Sequence, residues 1–142
     1  MSDPGVAEGM TASERAAFGE IADILVPQTE AMPSATGADV ASRWIDVALS
    51  HRPDLRSAFG DALAALAGRG PDAVWTLARE APEKFQALAT LTAGAYYLNP
   101  EVRALVGYPG QTTRDFDDEV PSYSDLLEHV VSRGPRYRPT PR

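Results

Sequence analysis

Between Lys84 and Glu101 the chain carries no charged residue. The stretch opens just after Pro82, a residue suited to the first helical position, and closes at Asn99-Pro100, where a helix is expected to break. Phe85, Leu88, Leu91, Ala95 and Leu98 recur at helical spacing with alanines between them. A helix from Pro82 to about Leu98 is therefore apolar around most of its circumference. Such a helix belongs at the centre of a bundle, covered by its neighbours. Gly94 and the alanines are expected to let those neighbours approach closely.

The flanking segments read as the covering helices. Thr11 and Glu14 form a capping box ahead of a helix whose Phe18, Ile21, Ala22 and Leu25 share one face, and Pro27 stops it. After a polar loop from Gln28 to Ala35, Thr36 and Asp39 resemble a second capping box. The next helix is expected from Gly37 to His51, with Val40, Trp44, Val47 and Ala48 inward. Pro53 starts a third helix with Leu55, Phe59, Ala62 and Leu66 inward, ended by Gly68 and Gly70. Pro71 starts a fourth, through Glu80, that buries Val74, Trp75 and Ala78; both Trp44 and Trp75 are expected in the core. Ser124 caps a last helix, Asp125 to Ser132, with Leu126, Leu127, Val130 and Val131 as its apolar content.

No strand pattern recurs, so the expected fold is all-α, a single-domain bundle of about six or seven helices with short connections that favour antiparallel neighbours. Residues 1–10 are expected to be disordered, 11–131 to form the helical domain, and 132–142 to form a basic, Pro-rich extended tail. In that tail Arg133, Arg136, Arg138 and Arg142 stand without an acid, in a chain of net charge −7. Pro135, Pro139 and Pro141 keep it extended. It is either a solvated terminus or a strap that lays Arg136, Tyr137 and Arg138 across an acidic groove of a partner.

The chemistry available to this chain is narrow. With no cysteine there is no disulfide, thiolate nucleophile or covalently attached haem. The acidic balance argues against nucleic acid, and no run approaches the length of about 20 apolar residues that spans a bilayer. His51 and His129 have no ligand partner at helical spacing, and His51 sits near a helix C-terminus. Asp115, Asp117, Asp118 and Glu119 lack the spacing of a calcium loop and read as a solvated acidic loop. Neither a phosphate-binding glycine loop nor a nucleophile elbow occurs. No catalytic, cofactor-binding or metal residue is expected in this chain.

The junction after the apolar helix is more distinctive. Asn99 can cap a short helix that Pro100 starts and whose first turn holds Glu101. Gly107 can end that helix in the left-handed conformation, and Tyr108-Pro109-Gly110 matches a type II turn. Tyr96 and Tyr97 project about 100° apart, so one packs inward while the other reaches a surface or a nearby loop. No helix stripe explains Tyr108, which either folds back over the tyrosine pair or anchors a partner.

This junction resembles the hallmark of the gluconate 2-dehydrogenase subunit 3 family, in which an Ala-Tyr-Tyr-like pair, a proline-started short helix and Gly-Tyr-Pro-Gly come one after another. The Ile21–Pro27 helix end, with a loop and a second helix after it, is similar too, and the resemblance spans roughly residues 12 to 111. It implies a small accessory subunit without redox chemistry of its own, paired with a large flavoprotein of the glucose-methanol-choline type. That partner holds FAD and oxidises a sugar or alcohol hydroxyl; some family complexes add an electron-transfer subunit. The implied contact residues are Tyr96, Tyr97, Asn99, Pro100, Gly107, Tyr108, Pro109 and Gly110. Met1 to Met10 lacks the twin-arginine leader many family members carry, which points to the cytoplasm, or to the periplasm for a trimmed chain or one exported with its partner. The competing readings are an adaptor for a non-redox partner and a small helical enzyme that uses the acidic loop with His129 or Tyr123.

Overall fold

Most of the charge-free stretch lies in one helix, Pro82–Leu98, and that helix is the axis of the first of two units into which the chain divides, 1–110 and 111–142. In this computed structural model residues 9–113 and 124–136 are described, and every regular element among them is helical. The elements are α1 (Ala12–Leu25), a π-turn (Val40–Trp44), α2 (Ile45–His51), a 3-10 turn (Pro53–Leu55), α3 (Arg56–Leu66), α4 (Pro71–Glu80), α5 (Pro82–Leu98), α6 (Pro100–Leu105) and α7 (Ser124–Arg133). The first unit is thus a helical bundle in which α5 touches each of α1, α2, α3, α4 and α6. Its core joins Phe18 and Ile21 to Val40, Ile45, Leu49, Phe59, Leu66, Val74, Leu88, Leu91 and Val102. Phe18 and Phe59 meet edge to face with ring centroids 5.1 Å apart, a favoured aromatic geometry.

The capping box forms as its residues dictate. Thr11 N–H donates to the Glu14 carboxylate at 2.7 Å and Glu14 N–H donates to Thr11 Oγ1 at 3.2 Å. The bonds from the Thr11 backbone and then its hydroxyl hold the Glu14 carboxyl below its ordinary range. The second expected capping box does not form. Thr36 turns instead to α1, where its backbone N–H and hydroxyl donate to the two Asp23 oxygens at 2.8 and 2.6 Å. Asp39 adopts a left-handed φ of 58°, so the helix begins at Val40 and not at Gly37.

It begins with a π-turn, which inserts one residue and rotates the rest of the helix by about 100°. The buried face is consequently Val40, Ala41, Ile45, Ala48 and Leu49, while Trp44 and Val47 are only half-buried. Ile45 N–H reaches back to Val40, and the Ala41 carbonyl is taken by Arg15 Nη1 at 2.9 Å. The same guanidinium forks onto both Asp46 oxygens at 2.9 and 2.8 Å, tying α1 to α2.

Two further expectations are corrected. Trp75 is not core: it is 48% exposed and leans on Phe85 with centroids 6.2 Å apart. Adjacent helical positions diverge by about 100°; α4 packs through the fully buried Val74 and leaves Trp75 beyond the edge of its buried face, while Ala78 is half-buried. Gly94 does not admit a close neighbour either. A Cβ built there meets nothing within 4 Å, and the residue lies with Gln86, Thr90, Ala93 and Tyr97 on the outer side of α5. The close approach occurs at Gly19, where a Cβ would stand 3.1 Å from the Thr36 methyl.

In the second unit α7 starts at Ser124 and continues through Arg133, one residue past the expected helix end at Ser132, and Gly134 comes next at φ 69°. Leu127, Val130 and Val131 are exposed on it. Residues 1–8, the acidic residues Asp115 to Glu119, Tyr123 and the tail residues Tyr137 to Arg142 lie outside the described residues. Among the described residues no helix is long and apolar enough to cross a membrane.

Candidate partner interface

The turn from α5 into α6 is built by one side chain. Asn99 Oδ1 accepts from Glu101 N–H at 2.8 Å, which caps α6, while Asn99 Nδ2 donates to the Ala38 carbonyl at 3.0 Å. At 7% exposure Asn99 satisfies buried backbone groups of two segments at once. Pro100 occupies the first helical position and Glu101 sits in the first turn, where the helix dipole favours a carboxylate. At the other end Tyr108 N–H donates to the Arg103 carbonyl at 2.9 Å and Gly107 N–H to Ala104 at 3.0 Å. That is the Schellman pattern, which needs the left-handed φ of 70° that Gly107 supplies. Gly110, at φ 93°, fills the position after Pro109 that a type II turn reserves for positive φ.

The two adjacent tyrosines divide as helical geometry requires. Tyr96 is 3% exposed and its hydroxyl donates to the Pro33 carbonyl at 2.7 Å, pinning the 28–38 loop to α5. Burial, and then the neighbouring Tyr97, push the Tyr96 phenol above its ordinary value. Tyr97 is 53% exposed and packs edge to face on Tyr96 with centroids 5.4 Å apart. Tyr108 is 53% exposed as well, and it forms no ring pair with Tyr96 or Tyr97 among the described residues.

The junction residues therefore fall into two layers. Tyr96 and Asn99 are buried and act from beneath, whereas Tyr97, Pro100, Gly107, Tyr108 and Pro109 face solvent and Gly110 is half-buried. Arg136 belongs to the second unit and is exposed there; Tyr137 and Arg138 lie outside the described residues. Sequence reasoning missed Leu105 and Val106, exposed by 58% and 47%. A signal was present: a helix of six residues buries little more than one side chain inward, here Val102, so the further apolar residues at its end have no core to enter. Of the large apolar side chains left exposed between residues 9 and 113, namely Trp75, Tyr97, Leu105, Val106 and Tyr108, all but Trp75 fall in this one stretch.

Beside the stretch runs a groove of about 330 Å³ between the 28–38 loop and α6. Met32 and Leu105 give it apolar surface, and Glu30 and Glu101 stand on its two sides. His51 ends α2 in an exposed position, His129 is exposed on α7, and among the described residues no group of three His, Asp or Glu is placed to hold a metal. Comparison with family models, with characterised proteins and with solved structures gave no match.

Proposed function

We propose that this chain is a non-catalytic small subunit that binds and stabilises a FAD-dependent oxidoreductase of the glucose-methanol-choline type, acting on sugar or alcohol hydroxyls. The observation that carries the binding role is the concentration of Tyr97, Leu105, Val106 and Tyr108 in one exposed stretch on a buried, hydrogen-bonded base. Exposed tyrosine and aliphatic surface on a rigid support is what a partner's apolar patch requires, since little ordering cost opposes contact. The class of partner is supported by the resemblance of the Tyr96–Gly110 segment to the gluconate 2-dehydrogenase subunit 3 family. On this reading FAD and the substrate hydroxyl belong to the large subunit. The small chain acts by mass action: it binds the folded flavoprotein and not the unfolded one, and so raises the folded fraction.

The test is co-expression of the chain with glucose-methanol-choline-type flavoproteins from the same genome. The expected result is co-purification, with more soluble, flavin-loaded large subunit than when that subunit is expressed alone. Equal flavin content and activity with and without this chain would overturn the reading.

A further inference from the structure

Glu30 and Glu101 face the groove between the 28–38 loop and α6 from different segments, and no side chain that lines it is basic. Neither carboxylate is in an ion pair among the described residues. Both walls are fixed before anything binds. Tyr96 holds the loop at Pro33 and Asn99 holds it at Ala38. Within the loop, Gln28 Oε1 accepts from Ser34 N–H at 2.9 Å and Thr29 Oγ1 accepts from Met32 N–H at 3.0 Å. The groove volume of about 330 Å³ is too small for a helix about 10 Å across, but it takes side chains from an extended strand of peptide.

We infer that this groove seats an extended segment of a partner protein that presents an arginine or lysine beside an apolar side chain. The apolar group covers Met32 and Leu105, and the cation lies between Glu30 and Glu101. Charge complementarity selects that occupant: an acidic segment would meet two carboxylates and an all-apolar one would leave them unpaired. Leu105 belongs both to the groove and to the exposed Tyr97–Tyr108 stretch, so a partner that covers the stretch reaches the groove without a gap. The inference builds on that stretch being partner-facing; it does not depend on the partner being a flavoprotein.

The experiment titrates the full-length, ¹⁵N-labelled chain with the blocked peptide Gly-Leu-Arg-Pro-Leu-Arg-Gly and with its glutamate-for-arginine counterpart. The arginine peptide should move the amide resonances of Glu30, Ala31, Met32, Glu101 and Leu105, and higher ionic strength should weaken its binding. The double variant Glu30→Gln/Glu101→Gln, altered only at exposed positions, should stay folded with at most a small drop in melting temperature from the lost Glu101 charge at the α6 N-terminus, and should bind about tenfold more weakly or worse. Equal shifts with the two peptides, unchanged binding by the double variant, or no shift at these amides would overturn the inference. Arginine-peptide binding without any co-purifying flavoprotein would remove the accessory-subunit reading and leave the groove standing; the reverse pattern would remove the groove alone.

Discussion

The Tyr96 hydroxyl donates to the Pro33 carbonyl at 2.7 Å, joining positions 63 residues apart. One helical turn later Asn99 Nδ2 donates to Ala38 at 3.0 Å while its Oδ1 caps α6. The C-terminal end of α5 therefore carries the 28–38 loop on one side and α6 on the other. The groove between them is framed by a tyrosine and an asparagine that are both buried. Positioning and contact are done by different residues of the same short segment.

Tyr96→Phe keeps the ring and removes the bond to Pro33, which should cost about 1 kcal/mol in urea unfolding. The pH dependence is the sharper test. Burial and the neighbouring Tyr97 raise the Tyr96 phenol in the folded state, so the fold favours its neutral form. The stabilisation is complete below the unfolded value of about 10 and is lost as pH rises through the higher folded value. Wild type should lose stability more steeply than Tyr96→Phe over that alkaline interval. Parallel losses would show that the phenol does not titrate against folding.

Asn99→Ala removes both the cap and the bond to Ala38 and should cost about 1–3 kcal/mol. Asn99→Asp keeps an acceptor for Glu101 N–H but sets a carboxylate oxygen against the Ala38 carbonyl at a site only 7% exposed. At neutral pH it should be at least as damaging as alanine. Protonation turns the acid into a donor toward Ala38, so its folded pKa is raised, and stability should return as pH falls through it. An aspartate variant as stable as wild type at neutral pH would contradict the Ala38 bond.

The helices were legible because their punctuation is local. Thr11 and Glu14, Pro71, Pro82, and Asn99 with Pro100 each mark an end where α1, α4, α5 and α6 start. What escaped was decided by long-range partners. Thr36 looks like a cap until Asp23 of α1 takes its hydroxyl, and the π-turn that results rotates the α2 face. Trp75 reads as core from its apolar neighbours, yet α4 packs through Val74 and leaves the indole outside. At the candidate interface the backbone of the Gly107–Gly110 turn was readable from glycine and proline alone. The groove was not, because its walls come from segments that only tertiary hydrogen bonds bring together.

Gly94 and Gly19 make a matched pair of helical glycines. Nothing stands within 4 Å of a Cβ at Gly94, so Gly94→Ala should gain stability of up to about 1 kcal/mol from helix propensity. Gly19→Ala meets the Thr36 methyl at 3.1 Å, and Thr36 is held in place by two bonds to Asp23. The propensity gain there should be cancelled or reversed. Equal rises in melting temperature for the two variants would rule out the tight contact between α1 and Thr36.

Tyr108 and Gly107 separate contact from conformation. Tyr108 is 53% exposed on a turn, so Tyr108→Ala should leave the melting temperature of the free chain within the narrow range of surface substitutions. Its effect should fall on association: loss of a tyrosine anchor typically costs about 2 kcal/mol, more than tenfold in dissociation constant. Gly107→Ala acts the other way. At φ 70° it forces a Cβ into the left-handed region at a cost of about 1–2 kcal/mol, and it loosens the turn that aims Tyr108. It should therefore lower the free chain's stability and its partner affinity together. If Tyr108→Ala depresses the free chain's melting temperature as much as Gly107→Ala does, the ring is supporting the fold and the anchor must be sought at Tyr97, Leu105 or Val106 instead.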